Sequence, residues 1–213
     1  MASVVSFTFN PFQENTYLVI DDSKDCAIFD PGCFDARERS ILQQYIDAEN
    51  LRPVRLINTH CHIDHVLGNR FVHETYHLPL EIHQGELPVL QACPQVAAMY
   101  GIPYDQESPE PGRFIEVGEE ILIGETRLQT LFTPGHSPAS ISFFCAEDEF
   151  LIAGDVLFFE SIGRTDLPGG DHATLLDAIR TQLFPLGDGV QVYPGHGPAT
   201  SIGYEKDHNP FLR

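Results

Sequence analysis

Thr59-His60-Cys61-His62-Ile63-Asp64-His65 is the stretch around which the chain is organised, because four of its side chains, His60, His62, Asp64 and His65, can ligate a metal. The apolar run Val54-Arg55-Leu56-Ile57-Asn58 before it reads as a buried strand, so the cluster sits where a strand ends and a loop begins. After it, Val66, Leu67, Phe71, Val72 and Tyr76 recur at helical spacing. Residues two apart in an extended segment project to the same side, so His60 and His62 can share one ion. Asp64 and His65 are adjacent and diverge, which suits a second ion beside the first. Imidazole plus carboxylate without a Cys pair points to zinc, iron or manganese in an open, reactive site, since closed structural zinc prefers thiolate cages.

Three further ligand candidates follow, each at the end of an apolar strand. Leu128-Gln129-Thr130-Leu131-Phe132 runs into Thr133-Pro134-Gly135-His136, Glu149 to Ala153 runs into Gly154-Asp155, and Val190 to Tyr193 runs into Pro194-Gly195-His196-Gly197. Sites in sheet proteins gather beyond strand ends, so four such ends carrying His or Asp beside Gly imply one shared pocket.

Composition narrows the function. A chain of 213 residues can bury one sizeable core, and no linker or repeat divides it. No long apolar stretch offers a membrane span and no basic, apolar leader precedes the first strand, which implies a soluble, cytoplasmic protein without a membrane partner. Cys26, Cys33, Cys61, Cys93 and Cys145 form no CxxC pair, and their odd number argues against a disulfide framework. The formal charge of −19 opposes nucleic-acid binding, and only Lys24 and Lys206 are lysines.

Along the chain, residues 3 to 9, 16 to 20 and 26 to 29 read as strands, and Asp35 caps a helix reaching Glu49. Leu80 to His83 is a short strand. Residues 84 to 113 hold five prolines and read as a helical excursion from Leu87 to Tyr100 followed by a loop. Strands follow at 120–123, 126–132, 140–144 and 150–153, and Asp171 caps a helix containing Leu175, Leu176, Ile179 and Leu183. Two strand-rich halves, each followed by helix, make the pattern of an α+β protein, an αββα sandwich of two mixed sheets flanked by helices.

The succession HxHxDH, GHS, GD and GHG resembles the metallo-β-lactamase superfamily. Within it, the chain is similar to glyoxalase II of the short, single-domain type (hydroxyacylglutathione hydrolase). The matching stretches include Asn15-Thr16-Tyr17, Asp30-Pro31-Gly32, Gly163-Arg164-Thr165-Asp166, Gly203-Tyr204-Glu205 and Asn209-Pro210-Phe211. The resemblance implies one metallo-β-lactamase-like domain over residues 1–213, without the C-terminal helical glutathione-binding domain of the longer enzymes. It assigns His60, His62 and His136 to a first divalent ion and Asp64, His65 and His196 to a second, with Asp155 bridging both. Asp64 and Asp155 are then also catalytic. Two ions roughly 3.5 to 4 Å apart can share one carboxylate and one hydroxide, and zinc is the first expectation for the pair, ahead of iron or manganese. The implied reaction is hydrolysis of a small-molecule thioester, an S-(2-hydroxyacyl)glutathione such as S-lactoylglutathione. Arg164 is the candidate for substrate recognition, unless it pairs with Asp166 to shape the loop.

The same motifs are similar to those of persulfide dioxygenases, in which a single iron would sit on His60, His136 and Asp155. Cys61, between two ligands, reads as inert packing. His73, His77, His83 and His208 have no partner pattern, while His172 is a candidate for supporting a ligand from behind.

Overall fold

The computed structural model describes every residue except Asp105, which also places that position of the expected loop outside the described residues. Two compact units emerge: Met1–Ile115 with Leu122–Thr126, and Glu116–Ile121 with Arg127–Arg213.

The sheet of the first unit runs in chain order, β1 (Ser3–Phe9), β2 (Glu14–Ile20), β3 (Asp25–Phe29), β4 (Arg52–Ile57), β5 (Leu80–Ile82) and β6 (Pro111–Phe114). The first three strands pair antiparallel and the last three join parallel, so the sheet is mixed. Parallel neighbours need crossovers, and helices supply them. These are α1 (Ala36–Ala48), the pair α2 (Ile63–Val66) and α3 (Asn69–Tyr76), and α4 (Leu87–Tyr100), which follows a 3-10 turn at Gln84–Glu86. Every residue of β2 and β3 is buried, as expected of strands covered on both faces. The α1 N-cap is Asp35, whose carboxylate accepts from Glu38 N. From α1, Leu42 and Ile46 enter a core with Leu18, Ile28, Leu56 and Leu80. Burying those two α1 side chains contributes about 3 to 6 kcal/mol.

Two expectations need correction here. Asp64 and His65 lie in the four-residue helix α2 rather than in a loop, and the helix expected beyond them is two helices broken at Leu67-Gly68. The break follows from packing: Gly68 N donates to Pro31 O at 2.6 Å, and a Cβ at Gly68 would collide with Cys33 Sγ. Residues 111–114 are strand β6 rather than loop. Pro111 is tolerated because it opens a strand at the sheet edge, where a missing N–H leaves no ladder bond unmade.

A second six-stranded sheet uses β7 (Glu120–Ile123), β8 (Thr126–Phe132), β9 (Ile141–Cys145) and β10 (Phe150–Gly154). After β10 come a small hairpin, β11 (Leu157–Phe158) with β12 (Ser161–Ile162), and helix α5 (His172–Ala178), which continues as a π-helical turn over Ile179–Leu183. The chain ends with β13 (Gln191–Pro194), β14 (Thr200–Ser201) and α6 (Ile202–His208). The strand order is β14-β13-β10-β9-β8-β7, with β10 and β13 parallel and the other recorded pairs antiparallel. The carboxylate of Asp171 caps α5 by accepting from Thr174 N, and Leu175, Ile179 and Leu183 pack on Leu151 and Val192. Both mixed sheets and their flanking helices match the α+β expectation. Among the described residues, no helix is long and apolar enough to cross a membrane.

Candidate metal centre

The candidate ligands of the first unit lie where β4 ends. His62 is the extended residue before α2, and Ile63 and Val66 bury in the core while Asp64 and His65 stand on the adjoining turn. The three imidazoles gather closely: the His60 ring centroid is 4.9 Å from that of His62 and 4.1 Å from that of His65. His65 Nε2 is 3.8 Å from Asp64 Oδ2. His60 and His65 are fully buried.

Asp30, at the end of β3, organises this cluster from behind. Its Oδ1 accepts from Thr59 N and its Oδ2 from the Thr59 hydroxyl, both at 2.7 Å. Thr59 Oγ1 in turn lies 3.1 Å from His60 Nδ1, while Asp30 Oδ2 lies 3.3 Å from His65 Nδ1. An acceptor facing Nδ1 keeps the proton on that nitrogen, which leaves the Nε2 lone pair for a metal. Asn58 Nδ2 donates to His65 O at 2.9 Å, and Asn10 Nδ2 to Asp64 O at 2.9 Å, so the backbone of α2 is tied as well. Glu14 is buried beside them, with Oε1 3.9 Å from His65 Nδ1; burial pushes its carboxyl well above the usual range.

The second unit presents three candidate ligands at strand ends. Asp155 follows β10, and its Oδ2 lies 3.3 Å from His136 Nε2 and 3.6 Å from His196 Nε2. His136 Nδ1 is 2.7 Å from the Arg164 carbonyl oxygen. A carbonyl only accepts, so Nδ1 carries the proton and Nε2 the lone pair. The approach is close enough that a Cβ at Gly163 would collide with Asp155 O and come within 3.1 Å of His136 Cβ. Phe158 meets the His196 ring edge-on at 6.1 Å.

Each of the seven expected ligands thus stands among others of its own unit. The donor set fits divalent metal: imidazoles and carboxylates, with outer nitrogens of His60, His65 and His136 facing fixed oxygens, and no cysteine among them. The Arg164 side chain makes a two-pronged pair with Asp166, Nε to Oδ1 and Nη2 to Oδ2 at 2.7 Å each. This is the loop-shaping arrangement foreseen as its alternative role. Asp166 is held down at about 2 by the hydrogen bond from Arg164.

The remaining candidates separate from the ligands. Cys61 packs in the core of the first unit, and burial raises its thiol well above the usual value. His73 Nδ1 faces Leu78 O at 2.6 Å, His77 ends α3 in the left-handed conformation, and His83 caps the 3-10 turn. His172 is exposed on the first turn of α5. The support from Asp30, Thr59 and the Arg164 carbonyl escaped the sequence reading. Asp30 carried a signal in its Asp-Pro-Gly strand ending, whereas a backbone carbonyl leaves none.

The fold and this donor set define the class: the chain belongs to the metallo-β-lactamase superfamily, whose family model matches residues 9–196, and it is a metallohydrolase. It is 39% identical over 202 residues to a probable metallo-hydrolase of Bacillus subtilis (strain 168), covering 95% of this chain and 93% of that one. It is 37% identical to a hydroxyacylglutathione hydrolase of Haemophilus influenzae, covering 94% and 93%. Among solved structures, a B3 metallo-β-lactamase superposes with a TM-score of 0.90 at 36% identity over 99% of both chains.

Proposed function

We propose that the chain hydrolyses S-(2-hydroxyacyl)glutathione thioesters, S-lactoylglutathione among them, at a binuclear centre in the cytoplasm, as one metallo-β-lactamase-like domain. His60, His62 and His136 would hold one ion and Asp64, His65 and His196 the other, with Asp155 a ligand to both. The observation that carries this reading is Asp155 Oδ2, which stands within 3.6 Å of two imidazoles assigned to different ions. A single iron on His60, His136 and Asp155 would leave His196, equally close to that carboxylate, without a ligand's role. Similarity to the Haemophilus hydrolase supports the substrate class.

A bound divalent pair supplies a water acidified to a pKa of about 7 and polarisation of the thioester carbonyl, so no side-chain nucleophile is required. The chain's own residues set the geometry. Asp155 would hold both ions, and Asp64, a ligand of the second, would orient the site and stand where it could relay a proton from the attacking water to the leaving thiolate. His60, His65 and His136 hold their rings in one tautomer because Thr59, Asp30 and the Arg164 carbonyl face their Nδ1 atoms. Arg164, braced by Asp166, offers a fixed guanidinium to a glutathione carboxylate.

Structural similarity to a B3 metallo-β-lactamase favours β-lactam hydrolysis as a second reading. Free-thiol release from S-lactoylglutathione, run beside a cephalosporin and beside oxygen uptake on glutathione persulfide, separates the readings. Thiol release as the dominant activity supports the proposal. A dominant turnover of the cephalosporin or the persulfide sinks it.

A further inference from the structure

The hairpin β11–β12 joins two features that the metal centre does not explain by itself. At its base, Gly163 N donates to Val156 O at 3.3 Å, and the next carbonyl, Arg164 O, is the acceptor for His136 Nδ1. At its tip, the two-residue turn Phe159-Glu160 places Glu160 at φ 53°, while Phe159 has no positive φ. The turns that match strand twist in such short hairpins put a positive φ at the first central residue. This turn has it at the second, in a non-glycine residue, so it needs support from outside.

Helix α6 gives that support. Glu205 is fully buried, and its Oε2 accepts from Glu160 N at 3.0 Å and from Asn209 Nδ2 at 2.8 Å. Its Oε1 accepts from the Thr200 hydroxyl at 2.5 Å. Asn209 Nδ2 also donates to Ser161 O at 2.9 Å, and the Tyr204 hydroxyl donates to Glu160 Oε1 at 2.7 Å while its ring stacks on Phe159. One buried carboxylate therefore ties the helix, the strand before it and the hairpin tip together. The hairpin is only two residue pairs long, so a shift at its tip reaches its base.

We propose that Glu205 is a positioning residue for the metal centre: from α6 it fixes the β11–β12 hairpin, and through the Arg164 carbonyl it sets the ring orientation of His136 and the affinity for the ion that His136 holds. The proposal rests on the metal reading above. It concerns geometry rather than charge, so Glu205→Gln, whose amide oxygen can accept the two N–H bonds while its NH2 donates to Thr200 Oγ1, rescues the function.

The test measures metal dissociation constants of wild type, Glu205→Ala, Glu205→Gln and Ile202→Ala by competition with a chromophoric chelator. Visible absorption of the cobalt-loaded proteins reports ligand geometry. Ile202 is a fully buried α6 residue in the apolar cluster that also holds Leu157 and Ile162, and its side chain makes no hydrogen bond to the hairpin, so its variant reports loss of packing with the carboxylate ties intact. Removing support behind a ligating histidine weakens metal binding by roughly ten- to a hundredfold. Glu205→Ala is expected to weaken one of the two binding events about tenfold and to alter the cobalt spectrum. Glu205→Gln and Ile202→Ala stay within about threefold of wild type at both sites. Equal constants in wild type and Glu205→Ala would overturn the proposal, as would an equal loss in Ile202→Ala. If Glu205→Ala does not fold, Glu205→Asp, one methylene short of the hairpin, is read against the same two outcomes. A wild-type chain binding a single ion would refute the binuclear reading separately, and the Glu205 effect would then be read on that one constant.

Discussion

Asp30→Asn tests whether the ligands are held by a prearranged scaffold. The native carboxylate accepts two 2.7 Å bonds from Thr59, one from its backbone N–H and one from its hydroxyl, and faces His65 Nδ1 at 3.3 Å. Bonds to a charged acceptor contribute about 1.5 to 3 kcal/mol each, so deleting the carboxylate in Asp30→Ala costs about 3 to 6 kcal/mol from Thr59 alone. That is a large part of the 5 to 15 kcal/mol stability usual for a domain. Asparagine is the sharper probe. Its carbonyl can keep the bond from Thr59 N, but its NH2 then points at the Thr59 hydroxyl and at His65 Nδ1, where an acceptor stood. The expected stability loss is about 2 to 3 kcal/mol, because one charged bond is lost outright. His65 meets a donor and is pushed toward the other tautomer, with its proton on the nitrogen the metal requires. Metal affinity should fall ten- to a hundredfold in the variant, read by chelator competition on protein shown to be folded by calorimetry. A folded Asp30→Asn protein with the affinity of wild type would refute the reasoning.

Arg164→Ala should raise KM for glutathione thioesters about tenfold while kcat changes little and metal content stays constant, since His136 uses only the backbone carbonyl at this position; a fall in metal content would contradict that division. In the wild type, the Asp166 carboxyl should titrate near 2, and in Arg164→Ala return toward about 4, as followed by carboxyl-carbon NMR. The sign follows from the depressed value: the pair is complete at pH 4 and above, and is lost as pH falls through about 2. Gly163→Ala must move Asp155 or His136 to make room for its Cβ, and should cost about 1 to 3 kcal/mol along with metal loading; full loading at wild-type stability would count against the close approach. All five cysteines are buried, and burial raises the thiols of Cys33 and Cys93 to about 12, so the native protein should react slowly with an aromatic disulfide reagent and yield five thiols only when unfolded.

The candidate ligands stood out in the sequence because they follow apolar strands, in motifs where residue type and spacing both carry information. His60, His62, Asp64 and His65 fall within six consecutive residues, and His136, Asp155 and His196 each carry a neighbouring glycine. Long elements with strong periodicity, such as α1 with its Asp35 cap, were equally plain. The break between α2 and α3 was hidden because it arises from Gly68 meeting Pro31 and Cys33, residues far away in sequence. Asp30 and Glu205 are carboxylates that read as ordinary polar positions, and only the tertiary fold shows them buried with their bonds directed inward. The hairpin β11–β12, with two residues per strand, is too short for any periodicity to reveal.

The central claim, a binuclear thioester hydrolase, is tested most directly by counting metal ions per chain in the purified protein while following thiol release from S-lactoylglutathione. Two ions per chain, with thiol release lost when they are chelated and regained when they are restored, is the predicted result. A single iron per chain with oxygen uptake on glutathione persulfide and no thiol release would contradict it.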